Sequence, residues 1–112
     1  MPLNEWSDNI IIAEMNDEPS FSDDMDALIG RLDNGETLGD VIIDMQAVTH
    51  VNSSNIAQLL RLRKKMQGTS ARLRVCSVSE HVWSVLLITG LDKVFDFTDD
   101  VATSIASLQI SE

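Results

Sequence analysis

A chain of 112 residues, 44% hydrophobic and 23% charged, has room for one sheet and the helices that cover it, and no low-complexity tract interrupts it. No run approaches the roughly 20 apolar residues that cross a bilayer, and the segment Met1 to Glu14 is too acidic for a signal peptide. A cytoplasmic protein without membrane insertion is expected, folded as a single domain over 3–108. The formal net charge of −10 argues against nucleic acid as a partner, because phosphates would be repelled before contact.

In chain order, Asn9 to Met15 is short, apolar and rich in β-branched residues, and reads as a buried strand, paired with an edge strand around Leu3 to Trp6. Asn16 to Ser20, with Pro19, ends it. Ser22 is the expected N-cap of a helix over about 23–33, where Asp23, Asp24 and Asp26 suit the positive end of the helix dipole. Met25, Leu28, Ile29 and Leu32 form its core stripe, and Asn34-Gly35 its left-handed stop. Asp40 to Met45 is nearly all apolar, as a central strand buried on both faces should be.

After Val51-Asn52-Ser53-Ser54-Asn55 the spacing predicts a helix to about Gln67, with Ile56, Leu59, Leu60 and Met66 inward, Arg61, Lys64 and Lys65 outward, and Gly68 as its stop. Arg72 to Val78 reads as a strand. Ser79 should cap a third helix, lined by Val82, Val85, Leu86 and Ile88 or Thr89 and ended by Gly90. Val94 to Phe97 is a short strand, and Thr98 should cap a last helix with the stripe Val101, Ile105 and Leu108. Strands alternating with crossover helices call for an α/β fold on a mainly parallel sheet, whose ligands and partners meet the carboxyl ends of the strands, where Asn52 to Asn55 lie.

Catalytic chemistry finds little support. His50 and His81 have no H-x-x-x-H or Cys/His spacing around them, and Asp23, Asp24 and Asp26 lack the glycine and closing glutamate of a calcium loop, so no metal or cofactor is expected. Phosphate-binding glycine loops and the G-x-S-x-G nucleophile elbow are missing, and no enzyme activity is expected. Cys76, the single cysteine, sits in an apolar alternation and reads as a packed or half-packed thiol. Trp6 and Trp83 read as packing residues, and the basic set on the second helix and the following strand as a solvated face. Acidic residues crowd the first half of the chain and basic ones the second, an asymmetry suited to protein recognition.

Two readings of Asn52-Ser53-Ser54-Asn55 stand side by side. In one, short polar side chains simply satisfy the free amides of the helix start. In the other, a serine there is also modified, since a helix N-terminus accommodates a phosphoryl group through its dipole and unpaired amides.

Asp40 to Met45, His50 to Ile56, Leu59 to Arg63 and Leu86 to Phe95 together resemble the STAS family, in its bacterial anti-sigma-factor antagonist form, through its strand, its D-S-S-G turn and helix, and its T-G-L-x-x-x-F segment. The resemblance covers about Asn9 to Leu108. It implies a four- to five-stranded, mostly parallel sheet with four flanking helices. It also implies an antagonist that binds an anti-sigma factor of the serine-protein kinase type, is ejected when that kinase phosphorylates it, and is reset by a PP2C-type phosphatase, as a monomer or weak dimer.

Carried over by position, the phosphoacceptor is Ser54, Ser53 is the expected cap, and Asn52, Ser53, Ser54, Asn55 and Ile56 form the partner-binding turn. Asn52 stands where the pattern has Asp, and Asn55 where it has Gly. The first keeps hydrogen bonding without the carboxylate charge; the second adds a side chain where bare backbone would let a kinase approach closely. Family members without the switch serve in lipid-transport complexes, anion-transporter tails and stress-sensing assemblies, so a scaffold subunit is the alternative.

Overall fold

A computed structural model describes residues 3–7 (backbone), 9–36 and 38–110 of the chain. The strands β1 (Leu3–Ser7), β2 (Ile10–Asn16), β3 (Asp40–Ala47), β4 (Leu73–Cys76) and β5 (Phe97–Thr98) form one sheet in the order β1-β2-β3-β4-β5. β1 pairs antiparallel to β2, and every other neighbouring pair is parallel. The helices are α1 (Ser20–Asp33), α2 (Ser53–Gln67), α3 (Glu80–Thr89) and α4 (Val101–Ile110), and a short 3-10 turn spans Leu91–Lys93. None of the described helices is long and apolar enough to cross a membrane. Trp6 lies in β1, and its side chain falls outside the described residues.

Strand alternation divides the core between the two faces of the sheet. Ile11, Ala13, Met15, Val41, Ile43, Met45 and Val75 point to the face covered by α1, α2 and α3, where Phe21, Met25, Leu28, Leu59, Leu62 and Val82 meet them. Ile10, Ile12, Ile42 and Cys76 point to the other face, covered by Leu108, Val101 and Ile105 of α4. Arg72 and Arg74 help attach that last helix. Arg72 pairs with Asp40 at 3.0 Å and donates to the Leu108 carbonyl at 2.7 Å, while Arg74 donates to Ser107 Oγ at 3.2 Å. These two arginines, expected on a solvated face, are thus tied into the fold.

Helix ends follow the turn chemistry in some places and depart from it in others. Gly35 (φ +84°) closes α1 with its N–H on the Leu32 carbonyl and the Glu36 N–H on the Arg31 carbonyl, Gly90 (φ +77°) closes α3, and Ser79 caps α3 by accepting from Val82 N–H at 3.3 Å. Ser22, however, does not cap α1. The helix begins at Ser20, and the anion at its start is Glu18, which accepts from Ser22 N–H at 2.6 Å and Ser22 Oγ at 2.5 Å. Likewise Asp100 rather than Thr98 caps α4, accepting from Thr103 N–H at 2.7 Å, while Thr98 shares a short hydrogen bond with Ser104.

Two apolar positions also differ from the helical stripes: Leu62, not Leu60, is buried in α2, and Ile88 is 85% exposed on α3. The reason is that α2 packs against the sheet below and α1 beside it, which selects Leu59, Leu62 and Met66 and turns Leu60 outward.

Gly39 marks a close crossing. A Cβ there would lie 2.2 Å from the Asn9 carbonyl oxygen, and the next residue, Asp40, donates its N–H to that same oxygen at 2.6 Å. Only a residue without a side chain lets β3 enter the sheet beside the start of β2.

Candidate functional site

The parallel pairing of β2 with β3 brings the loops that follow them together at the carboxyl end of the sheet. There the Asp17 carboxylate, just beyond β2, accepts from Thr49 Oγ1 at 2.6 Å, Thr49 N–H at 2.7 Å and His50 N–H at 3.2 Å. This clamp holds the segment leading into α2. The Thr49 hydroxyl and amide, with the His50 amide, keep the Asp17 carboxyl below the usual carboxylate range. Its neighbour Glu18 is held low in the same way, by the Ser22 hydroxyl and amide. Neither acid is marked by its local sequence, because their role depends on two loops being adjacent.

Within the turn, Asn52 is the N-cap of α2. Its backbone is extended (φ −110°, ψ 177°), and its side chain accepts from Asn55 N–H at 2.9 Å while the Asn55 side chain accepts from Asn52 N–H at 3.0 Å. The pair forms a reciprocal capping box. Ser53, expected as the cap, is instead the first helical residue, because the cap must have a non-helical backbone and Asn52 already has one. Asn55 is 1% exposed, so its side chain fills the turn from inside and leaves the outer approach to Ser54 clear. The asparagines at the two positions that depart from the D-S-S-G pattern are therefore each other's partners.

Ser53 and Ser54 occupy the first two positions of the helix, both exposed, where backbone amides have no intrahelical acceptor. The Ser54 hydroxyl engages no partner among the described residues. Ile56 is half-buried and lines the apolar seam between α2 and α3 with Val82 and Leu86, so its contribution is to seat the helix. Of the five turn residues, then, Asn52, Ser53 and Ser54 face solvent, and Asn55 and Ile56 support them from below.

A shallow depression beside the turn is lined by Asp17, Glu18, His50, Val51, Asn52 and Asn55. His50 meets His81 of α3 edge-on, with ring centroids 4.9 Å apart, which ties the start of α3 to the approach of α2. Among the described residues, no three His, Cys, Asp or Glu side chains converge as a metal ion would require. Cys76 is fully buried, and burial raises its thiol pKa, as befits a packed residue. Trp83 packs edge-on against Phe97 at 5.1 Å.

The STAS domain model matches residues 5–104, and the chain belongs to the STAS domain family. Among solved structures, the fold is similar to that of a candidate anti-sigma factor antagonist from Thermotoga maritima, with a TM-score of 0.80 at 15% identity over 96% of this chain and 93% of the other. It is similar to an anti-sigma-factor antagonist (STAS) domain protein from Planctomyces limnophilus, with a TM-score of 0.76 at 20% identity over 89% and 91%. The unphosphorylated form of the anti-sigma factor antagonist SpoIIAA aligns with a TM-score of 0.70 at 10% identity over 98% and 97%. No curated protein sequence matches the chain significantly.

Proposed function

We propose that this protein is an anti-sigma-factor antagonist, a single domain over 3–108 acting in the cytoplasm by binding rather than catalysis. Its partner is an anti-sigma factor of the serine-protein kinase type, phosphorylation of Ser54 releases that partner, and a PP2C-type phosphatase restores binding. Transcription is thereby regulated by partner switching. The observation that supports this most directly is an exposed serine, with its hydroxyl unengaged, at the second position of a helix whose cap is already complete without it.

That geometry suits a switch. A phosphoryl group adds about −1.5 to −2 charges at neutral pH, and free amides at a helix N-terminus accommodate it. Because the cap is the Asn52–Asn55 pair, modification of Ser54 leaves the helix start hydrogen-bonded as before, and the change falls on the outer surface. The turn and the exposed face of α2 are the docking surface in this account.

Incubation with the cognate kinase and ATP, followed by phosphopeptide mapping, tests the proposal. Phosphate on Ser54 is expected. Phosphate elsewhere, or none, would overturn the switch and favour the scaffold reading.

A further inference from the structure

We propose that the exposed face of α2 receives an acidic surface of the partner protein, with Arg61 and Lys64 pairing its carboxylates and Leu60 and Ile88 covering its apolar centre. This rests on the reading of the chain as a Ser54-gated binding protein, and it names the chemistry of the partner.

The chain has eight Lys and Arg residues against eighteen Asp and Glu. Arg31 pairs with Glu36, Lys65 with Asp33, Arg72 with Asp40 and Arg74 with Asp96, and Arg63 donates to the Val94 carbonyl at 3.0 Å. Among the described residues, Arg61, Lys64 and Lys93 make no ion pair or side-chain hydrogen bond. In a chain of net charge −10, cations left without intramolecular partners are available to an external one.

Their placement is not scattered. Arg61 and Lys64 are exposed and three residues apart on α2, hence neighbours on its surface. Ser54 lies seven residues before Arg61, on the same face and about 10 Å along the axis. Arg63 fastens the segment carrying Lys93 to α2 through Val94. Leu60, 36% exposed, precedes Arg61 and shares a helix face with Lys64 four residues on. On α3, His81 turns toward the start of α2, where it meets His50, and Ile88 is seven residues further on that same face, 85% exposed.

Leu60 beside two unpaired cations on α2, with Ile88 exposed on the neighbouring α3, matches a partner surface with an apolar centre and an acidic rim. The acidic remainder of the chain repels such a surface and so fixes its position. The same arrangement explains release by charge. A phosphoryl group on Ser54 brings about −1.5 to −2 charges to this face, roughly cancelling Arg61 and Lys64 and repelling the partner's carboxylates.

The test is a binding titration against the purified anti-sigma kinase that modifies Ser54, followed over a range of salt, with wild type, R61E/K64E, R61Q/K64Q and Ser54→Asp. R61E/K64E is expected to weaken binding about tenfold or more, mainly through slower association, and to flatten the salt dependence, with R61Q/K64Q intermediate. Circular dichroism and melting of the neutral variant separate a docking effect from a folding one. Wild-type affinity and salt dependence in R61E/K64E, with binding lost in Ser54→Asp, overturn the acidic-partner proposal and leave the switch standing. Weakening in R61E/K64E with full affinity in Ser54→Asp supports the acidic partner and removes charge-gated release. No change in either variant overturns both. Sedimentation showing self-association that R61E/K64E abolishes would place a second copy on this face and also overturn the proposal.

Discussion

Asn52→Ala isolates the feature on which the helix start depends. The substitution removes the acceptor for Asn55 N–H, now held at 2.9 Å, in a residue that is 1% exposed and poorly reached by water. Loss of a polar N-cap costs roughly 1 kcal/mol, within about 0.5–2, and a buried donor left without an acceptor moves the cost to about 1.5–2 kcal/mol. With an unfolding entropy near 2.1 cal/mol/K per residue, a chain of this length should melt about 6–8 °C lower. Asn52→Asp keeps an acceptor and places a negative charge at the positive end of the helix, worth about 0.3–1 kcal/mol, against which the nearby Asp17 and Glu18 act. It should melt within about 2 °C of wild type. Thermal unfolding followed by circular dichroism reads both. An Asn52→Ala protein melting within about 1 °C of wild type, or an Asn52→Asp protein falling as far as Asn52→Ala, would refute the capping box as the support of the turn.

Further expectations follow from the packing and the titrating groups. Gly39→Ala forces a methyl group against the Asn9 carbonyl and should cost at least about 2 kcal/mol, visible in urea unfolding; a neutral result would contradict the close crossing of β2 and β3. Cys76 should resist thiol reagents in the folded protein and react only as fast as the chain opens, so modification at the rate of a free thiol would remove it from the core. The carboxyls of Asp17, Glu18 and Asp100 are lowered from 3.8, 4.5 and 3.8 by the hydrogen bonds they accept. Their stabilisation is therefore complete above those values and is lost as pH falls through and below them. Asp17→Asn should show a smaller drop in melting temperature than wild type between about pH 6 and about pH 3; an equal drop would show that Asp17 does not contribute.

The parts of this protein legible in its sequence are those fixed by local periodicity. The continuous apolar runs Ile10 to Met15 and Val41 to Met45 mark the strands, and Gly35, Ser79 and Gly90 bound their helices where short-range turn chemistry places them. Ser22 and Thr98 were displaced as caps because Glu18 and Asp100 offered carboxylates to the same amides. Leu60 and Ile88 satisfy a helical stripe on paper, yet which edge of that stripe is buried depends on neighbouring helices.

At the candidate site, Ser54 and its turn could be found from residue types alone. The clamp of Asp17 on Thr49 could not, since it joins residues 32 positions apart through parallel pairing. Nor could the meaning of Asn52 and Asn55. Taken singly they looked like departures from a family pattern; as a bonded pair they complete the cap that leaves Ser54 free.

In the proposed switch, one phosphoryl group on Ser54 decides whether the partner stays bound. Calorimetric titration of the anti-sigma kinase with unmodified protein and with protein fully phosphorylated at Ser54 measures this directly. Phosphorylation is expected to weaken binding by at least about tenfold, the equivalent of about 1.4 kcal/mol. Equal affinity of the two forms would contradict it.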